Sequence, residues 1–183
     1  MVPLLIVIGV VVLVGIAFVV AYNGLVRRRN AVDSAWAGID VQLQRRHDLV
    51  PNLVETVKGY AAHERETLDA VVQARNAAVA AQGPQAQAQA ENVLTGALRQ
   101  LFALAEAYPD LKANQNFLAL QEELTSTEDR VAYARQFYND AVLTYNTKIQ
   151  SIPSNVIASM FGFGPREFFE AGDETRDVPR VEF

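Results

Sequence analysis

The sequence predicts an all-α protein in which an N-terminal transmembrane helix precedes an antiparallel four-helix bundle of long helices. Three observations predict it. Residues 2–22 contain no charged side chain. From Leu25 onward, apolar residues recur at spacings of three, four and seven, with no stretch of strand-type alternation. Turn signals at Pro51, Gly83-Pro84, Tyr108-Pro109-Asp110 and Pro153 divide the rest into segments whose lengths suit an up-and-down bundle. The expected organisation is an anchor over residues 1–24, a bundle over 25–153 and an apolar, then acidic, tail over 154–183.

The anchor has the length of a membrane span, since about 20 residues at about 1.5 Å each cover a hydrocarbon core of roughly 30 Å. Val2, Leu5, Ile8, Val12 and Ile16 supply apolar surface, Tyr22 lies where interfacial aromatics collect, and Arg27, Arg28 and Arg29 follow. A cleaved signal peptide fits less well, because no basic residue precedes the run and no small-x-small cleavage site ends it. The arginine triplet favours the cytoplasmic side, which puts the N-terminus outside and the bundle inside.

Leu25, Val32, Trp36, Ile39 and Leu43 trace the seam of the first bundle helix. Pro51 has no amide to donate and crowds the carbonyl of His47, so this helix must bend there or stop and restart; the segment lengths favour the break, with Asp48 as N-cap. Leu53, Val57, Tyr60, Leu68, Val71 and Val72 continue in helical spacing until Gly83-Pro84. The Ala/Gln tract over residues 85–89 reads as ragged loop or helix start. Val93, Leu94, Leu98, Leu101 and Phe102 mark a third helix that ends at Tyr108-Pro109-Asp110. Phe117, Leu120, Leu124, Val131, Tyr138 and Tyr145 mark a fourth, over residues 113–150. Beyond Pro153, Val156, Ile157, Met160, Phe161, Phe163, Phe168 and Phe169 crowd a short tail interrupted by Gly162, Gly164 and Pro165. An acidic end closes on Phe183.

Composition excludes several function classes. Zero cysteines rules out a disulfide scaffold, a zinc finger, a thiol nucleophile and a lipidated cysteine anchor. A net charge of -5 offers no basic footprint for nucleic acid. His63-Glu64-Arg65-Glu66-Thr67 begins like a zinc-binding H-E-x-x-H, but Thr67 stands where the second imidazole is needed. His47, beside the expected break, reads as part of a polar turn. Glu122, Glu123, Glu128 and Asp129 read as a solvated acidic face, because the Glu-x-x-His pairs of a bundle-core metal site are missing. Trp36, Tyr133, Tyr138 and Tyr145 read as packing residues with a polar tip. With scattered glycines and no set of acid, base and nucleophile, the chain is expected to be no enzyme and to take no cofactor or metal.

Longer motifs carry a resemblance. Tyr22-Asn23, the run Arg29-Asn30 through Ala35-Trp36, Ile39-Asp40-Val41-Gln42-Leu43 with Arg45-Arg46, Asp48-Leu49-Val50-Pro51-Asn52-Leu53-Val54 and Val57-Lys58-Gly59-Tyr60 resemble the LemA family. So do Ala105-Glu106-Ala107-Tyr108-Pro109-Asp110-Leu111-Lys112-Ala113-Asn114, Tyr138-Asn139, Tyr145-Asn146 and the closing Pro179-Arg180-Val181-Glu182-Phe183. The resemblance implies an antiparallel four-helix bundle behind a membrane helix in bacterial inner membranes, with no established enzymatic activity. It also implies kinship with proteins often encoded near membrane metalloproteases of the heat-shock type, and with a branch that takes part in building magnetosome membranes. No catalytic residue comes with it.

The expected function is therefore a scaffold or adaptor held at the lipid bilayer, recruiting protein partners through Val156, Met160, Phe161, Phe163, Phe168, Phe169 and Phe183. One alternative is a self-associating, membrane-shaping component whose seams are Trp36 with Leu43 or Val131 with Tyr138. Another is a regulator of a membrane metalloprotease.

Overall fold

Helical periodicity from Leu25 to Gln150 produces helices over most of that stretch. The structure, a computed structural model, describes residues 2–170, and among them there is no strand. The order is α1 (Val2–Lys58), α2 (Arg65–Ala80), α3 (Pro84–Ala105), α4 (Pro109–Lys112), α5 (Gln115–Gln150) and α6 (Ser154–Phe161). The acidic end of the tail, with Phe183, lies outside the described residues.

The expected break at Pro51 does not occur: Pro51 sits inside α1. The proline removes the hydrogen bond that would reach back four residues to the His47 carbonyl, and a helix tolerates that loss when another donor replaces it. Here Nε of Arg75, on α2, donates to the His47 carbonyl oxygen at 3.3 Å. Helix α1 ends instead at Gly59, where the Tyr60 and Ala61 amides both fold back onto the Val57 carbonyl. The run from Leu53 to Val72, expected to be one helix, is thus two, separated by a turn over residues 59–64.

The Ala/Gln tract is fully helical and belongs to α3. Its start is fixed by Gly83 at φ 84°, a left-handed conformation that glycine adopts without strain, followed by Pro84 in the first turn. Helix α5 opens on Asn114, whose Oδ1 accepts the Phe117 amide at 3.0 Å as an N-cap does.

The described chain falls into two compact units, residues 2–37 with 136–167 and residues 38–135 with 168–170. In the second, Val50, Leu53 and Val57 of α1 join Leu68 and Val71 of α2, Leu94, Leu98 and Leu101 of α3, Leu111 of α4, and Phe117 and Leu124 of α5 in one core. Side chains of this size stabilise by roughly 1.5–3 kcal/mol each when fully buried, so this cluster dominates that unit. In the first unit Leu25, Val32 and Ala35 of α1, Tyr138, Val142 and Tyr145 of α5, Ile157 of α6, and Phe163 are buried.

Candidate functional site

Three arrangements stand out. The first is the apolar face of α1. Val2, Leu5, Ile8, Val12 and Ile16 are all more than half exposed, and this part of the helix is long and apolar enough to cross a membrane. Arg27 and Arg28 are exposed beyond it, and the Arg29 guanidinium lies 5.2 Å from the centre of the Phe163 ring. Tyr22 is half-buried, with ring centres 4.9 Å from Phe161 and 5.8 Å from Phe163.

The second is the seat of the segment after α6. Gly162, at φ 70°, ends the helix, and the Phe163 amide closes the turn onto the Ala158 carbonyl. The chain then runs extended along α5. Tyr145 Oη donates to the Gly164 carbonyl at 3.0 Å and Tyr138 Oη to the Glu167 carbonyl at 2.8 Å. Asn146 grips the Arg166 backbone twice, donating from Nδ2 to its carbonyl and accepting its amide on Oδ1, both at 2.9 Å. The Arg166 side chain reaches Asp33 of α1 at 2.9 Å. Burial pushes the hydroxyls of Tyr138 and Tyr145 above the ordinary tyrosine range.

The residues expected to meet partners therefore have different surroundings. Phe163 and Phe169 are buried within the chain, with Arg135 stacked over Phe169, and Phe168 is half-buried. Val156, Met160 and Phe161 are exposed, at 57%, 66% and 50%. The seams suggested for self-association are occupied by the chain itself: Leu43, Val131 and Tyr138 are buried, and the Trp36 ring packs edge-on against Tyr138 at 5.3 Å.

The third arrangement is a buried polar cluster in the second unit. Arg46, His47, Gln87 and Glu91 are each less than one-tenth exposed. Arg46 Nη1 donates to Glu91 Oε2 at 3.1 Å, and its Nη2 to Thr95 Oγ1 at 2.8 Å. Glu91 Oε1 accepts from His47 Nε2 at 2.6 Å and from Gln87 Nε2 at 3.0 Å, and Gln87 also donates to the Ala78 carbonyl. Every oxygen of Glu91 is engaged, so it acts as a fixed counter-charge rather than a free base. A cleft of about 340 Å³ adjoins the cluster, lined by Asp40, Gln44, His47, Arg75 and Gln87 among others. Burial raises the Asp40 carboxyl above the usual carboxylate range.

His47 is thus a core residue of a continuous helix and not part of a polar turn. The sequence did hold a signal for the cluster: Gln87, Glu91 and Thr95 step by four and share one face of α3. His63 is exposed, and its neighbour Glu64 accepts a hydrogen bond from Tyr108 Oη at 2.9 Å. Glu122, Glu128 and Asp129 are exposed, while Glu123 pairs with Arg45 at 2.6 Å. Among the described residues no group of three His, Cys, Asp or Glu side chains is placed to hold a metal ion.

The sequence model of the LemA family matches residues 35–183. The magnetosome protein MamQ 2 of Paramagnetospirillum magneticum is 27% identical, over 87% of this chain and 70% of its own length. MamQ of Magnetospirillum gryphiswaldense is 26% identical, over 98% of this chain and 78% of its own. Protein LemA of Metamycoplasma hominis is 28% identical, over 84% of this chain and 71% of its own.

Proposed function

The chain belongs to the LemA family, and from that premise we propose that it is a single-pass membrane protein serving as a non-catalytic helical scaffold or adaptor. The observation that carries this reading is the uncovered apolar length of α1: a soluble protein does not leave Val2 through Val20 in water. The same helix carries Leu25, Val32 and Ala35 into a packed core, so the anchor and the first core helix are one element. The arginine triplet supports a cytoplasmic body at the inner membrane, and four long helices with short connections support an antiparallel bundle. The Glu91 carboxylate, with both oxygens held by Arg46, His47 and Gln87, supports a structural role for this cluster in place of catalysis.

Partners are proteins assembled on the membrane-held body. The test is photo-crosslinking in cells from an unnatural residue at exposed Tyr133, together with protease access to the C-terminus in intact and opened cells. The scaffold reading expects membrane retention that is lost on removing residues 2–24, tail cleavage only in opened cells, and a discrete adduct with a different protein. A ladder of self-adducts would replace it with the membrane-shaping alternative. A soluble full-length chain would end it.

A further inference from the structure

Helix α6 has an exposed apolar face beside the membrane-side end of α1. Residues 149–165 carry no charged side chain and are bracketed by Lys148 and Arg166. Val156 and Met160 are one helical turn apart on one side of α6, and Ile152, just before it, is 86% exposed. Ser154, Ile157 and Ala158 are buried on the other side. Water is a poor solvent for such a face, and the position of the helix supplies another. The Phe161 ring lies 5.9 Å from Phe18 and 4.9 Å from Tyr22, at the end of the apolar stretch of α1. The arginines begin seven residues beyond Val20, about 10 Å further along the helix. Phe161, at the end of the exposed side of α6 that carries Val156 and Met160, thus lies at the level where aromatics and cations meet headgroups.

We propose that α6 is a second membrane contact, lying in the headgroup–acyl boundary of the leaflet that receives the Tyr22 end of α1, with Ile152, Val156, Met160 and Phe161 against lipid. This rests on the reading of α1 as a membrane span. Interfacial helices sit about 5–10 Å into that boundary with their polar side toward water, and α6 turns its other side onto the protein. The strap made by Asn146, Tyr145 and Tyr138 holds the chain just after α6 against α5, which fixes where the helix is presented.

The chain has no cysteine, so single-cysteine labels report cleanly. Spin labels at Met160→Cys, Val12→Cys and Val79→Cys in the full-length protein, reconstituted into phosphatidylethanolamine–phosphatidylglycerol vesicles, are compared for collision with oxygen and with a water-soluble nickel chelate. The expected order is Val12 deep in lipid, Met160 at interfacial depth and Val79 in water. A Met160 label as open to nickel as Val79, with Val12 still deep, overturns the α6 proposal and leaves the anchor standing. A Met160 label shielded from both reagents points to protein packing and also overturns it. A water-exposed Val12 label removes the anchor and the proposal together.

Discussion

Arg75 donates its Nε–H to the carbonyl oxygen of His47, the one carbonyl of α1 that Pro51 deprives of its helical partner. A proline that sequence rules read as a break is thereby carried within a continuous helix. The side chain that compensates it comes from α2, 28 residues away in sequence.

This relationship sets the first prediction. Arg75→Ala should destabilise the full-length protein in detergent micelles by about 1–2 kcal/mol, the loss of one part-buried charged hydrogen bond plus an orphaned carbonyl. In a Pro51→Ala background the helix amide returns to His47, and the same substitution should cost much less. Guanidinium unfolding followed by circular dichroism gives the double-mutant cycle, and strictly additive losses would refute the compensation.

The Glu91 cluster leads to a second. Glu91→Ala leaves the Arg46 guanidinium buried without its counter-charge, an arrangement that costs about 3–5 kcal/mol. Replacing the partners together, as Arg46→Met, His47→Leu and Glu91→Leu, removes both the charge and its need for compensation, so the triple variant should be more stable than the single one. The same unfolding measurement decides; a triple variant less stable than Glu91→Ala would show that the cluster is net stabilising.

Local signals explain what the sequence made legible. Residues 2–22 and the seams of α3 and α5 are set by period and composition alone, and the helices form where those signals lie. Pro51 misled because its rescue by Arg75 is a tertiary contact that no local rule contains. Gly59 was the better terminator, hidden by apolar spacing that ran on through Tyr60. The Ala/Gln tract left loop and helix start both open because Gln87 and, just beyond it, Glu91 are polar residues at buried positions, and only the partners Arg46 and His47 give those positions meaning. Phe163 and Phe169 looked like free apolar surface because their burial depends on chain that returns along α5.

The strap yields a third prediction. Asn146→Ala removes both bonds to the Arg166 backbone, so amide exchange at residues 163–167 should accelerate while the core of the other unit, at Leu53 and Leu101, keeps its protection. Asp33→Asn should have a smaller effect, since the Asp33–Arg166 pair is exposed and worth at most about 1 kcal/mol. Hydrogen exchange read by mass spectrometry tests both, and unchanged exchange at residues 163–167 in Asn146→Ala would mean that Asn146 does not hold the segment.

Alkaline pH should release the same strap, and the sign follows from the two tyrosines. Burial is the main cause that raises both hydroxyls above the ordinary value of 10.0; the Arg166 charge works against it at each, and Asp33 adds to it. A group whose folded pKa lies above its unfolded value contributes stability that is complete below the unfolded value and is lost as pH rises through the folded one. The docked segment should therefore hold up to pH 10.0 and loosen only above it, as Tyr138 and Tyr145 ionise and lose the protons they donate to the Glu167 and Gly164 carbonyls. Trp36 is the single tryptophan and its ring lies 5.3 Å from Tyr138, so its emission reports the event directly through quenching by the nearby tyrosinate. The expected titration is flat through pH 10.0 with a fall beyond it, and Tyr138→Phe should remove most of that fall. A transition centred at or below pH 10.0 would mean that the hydroxyls are not buried against the returning chain.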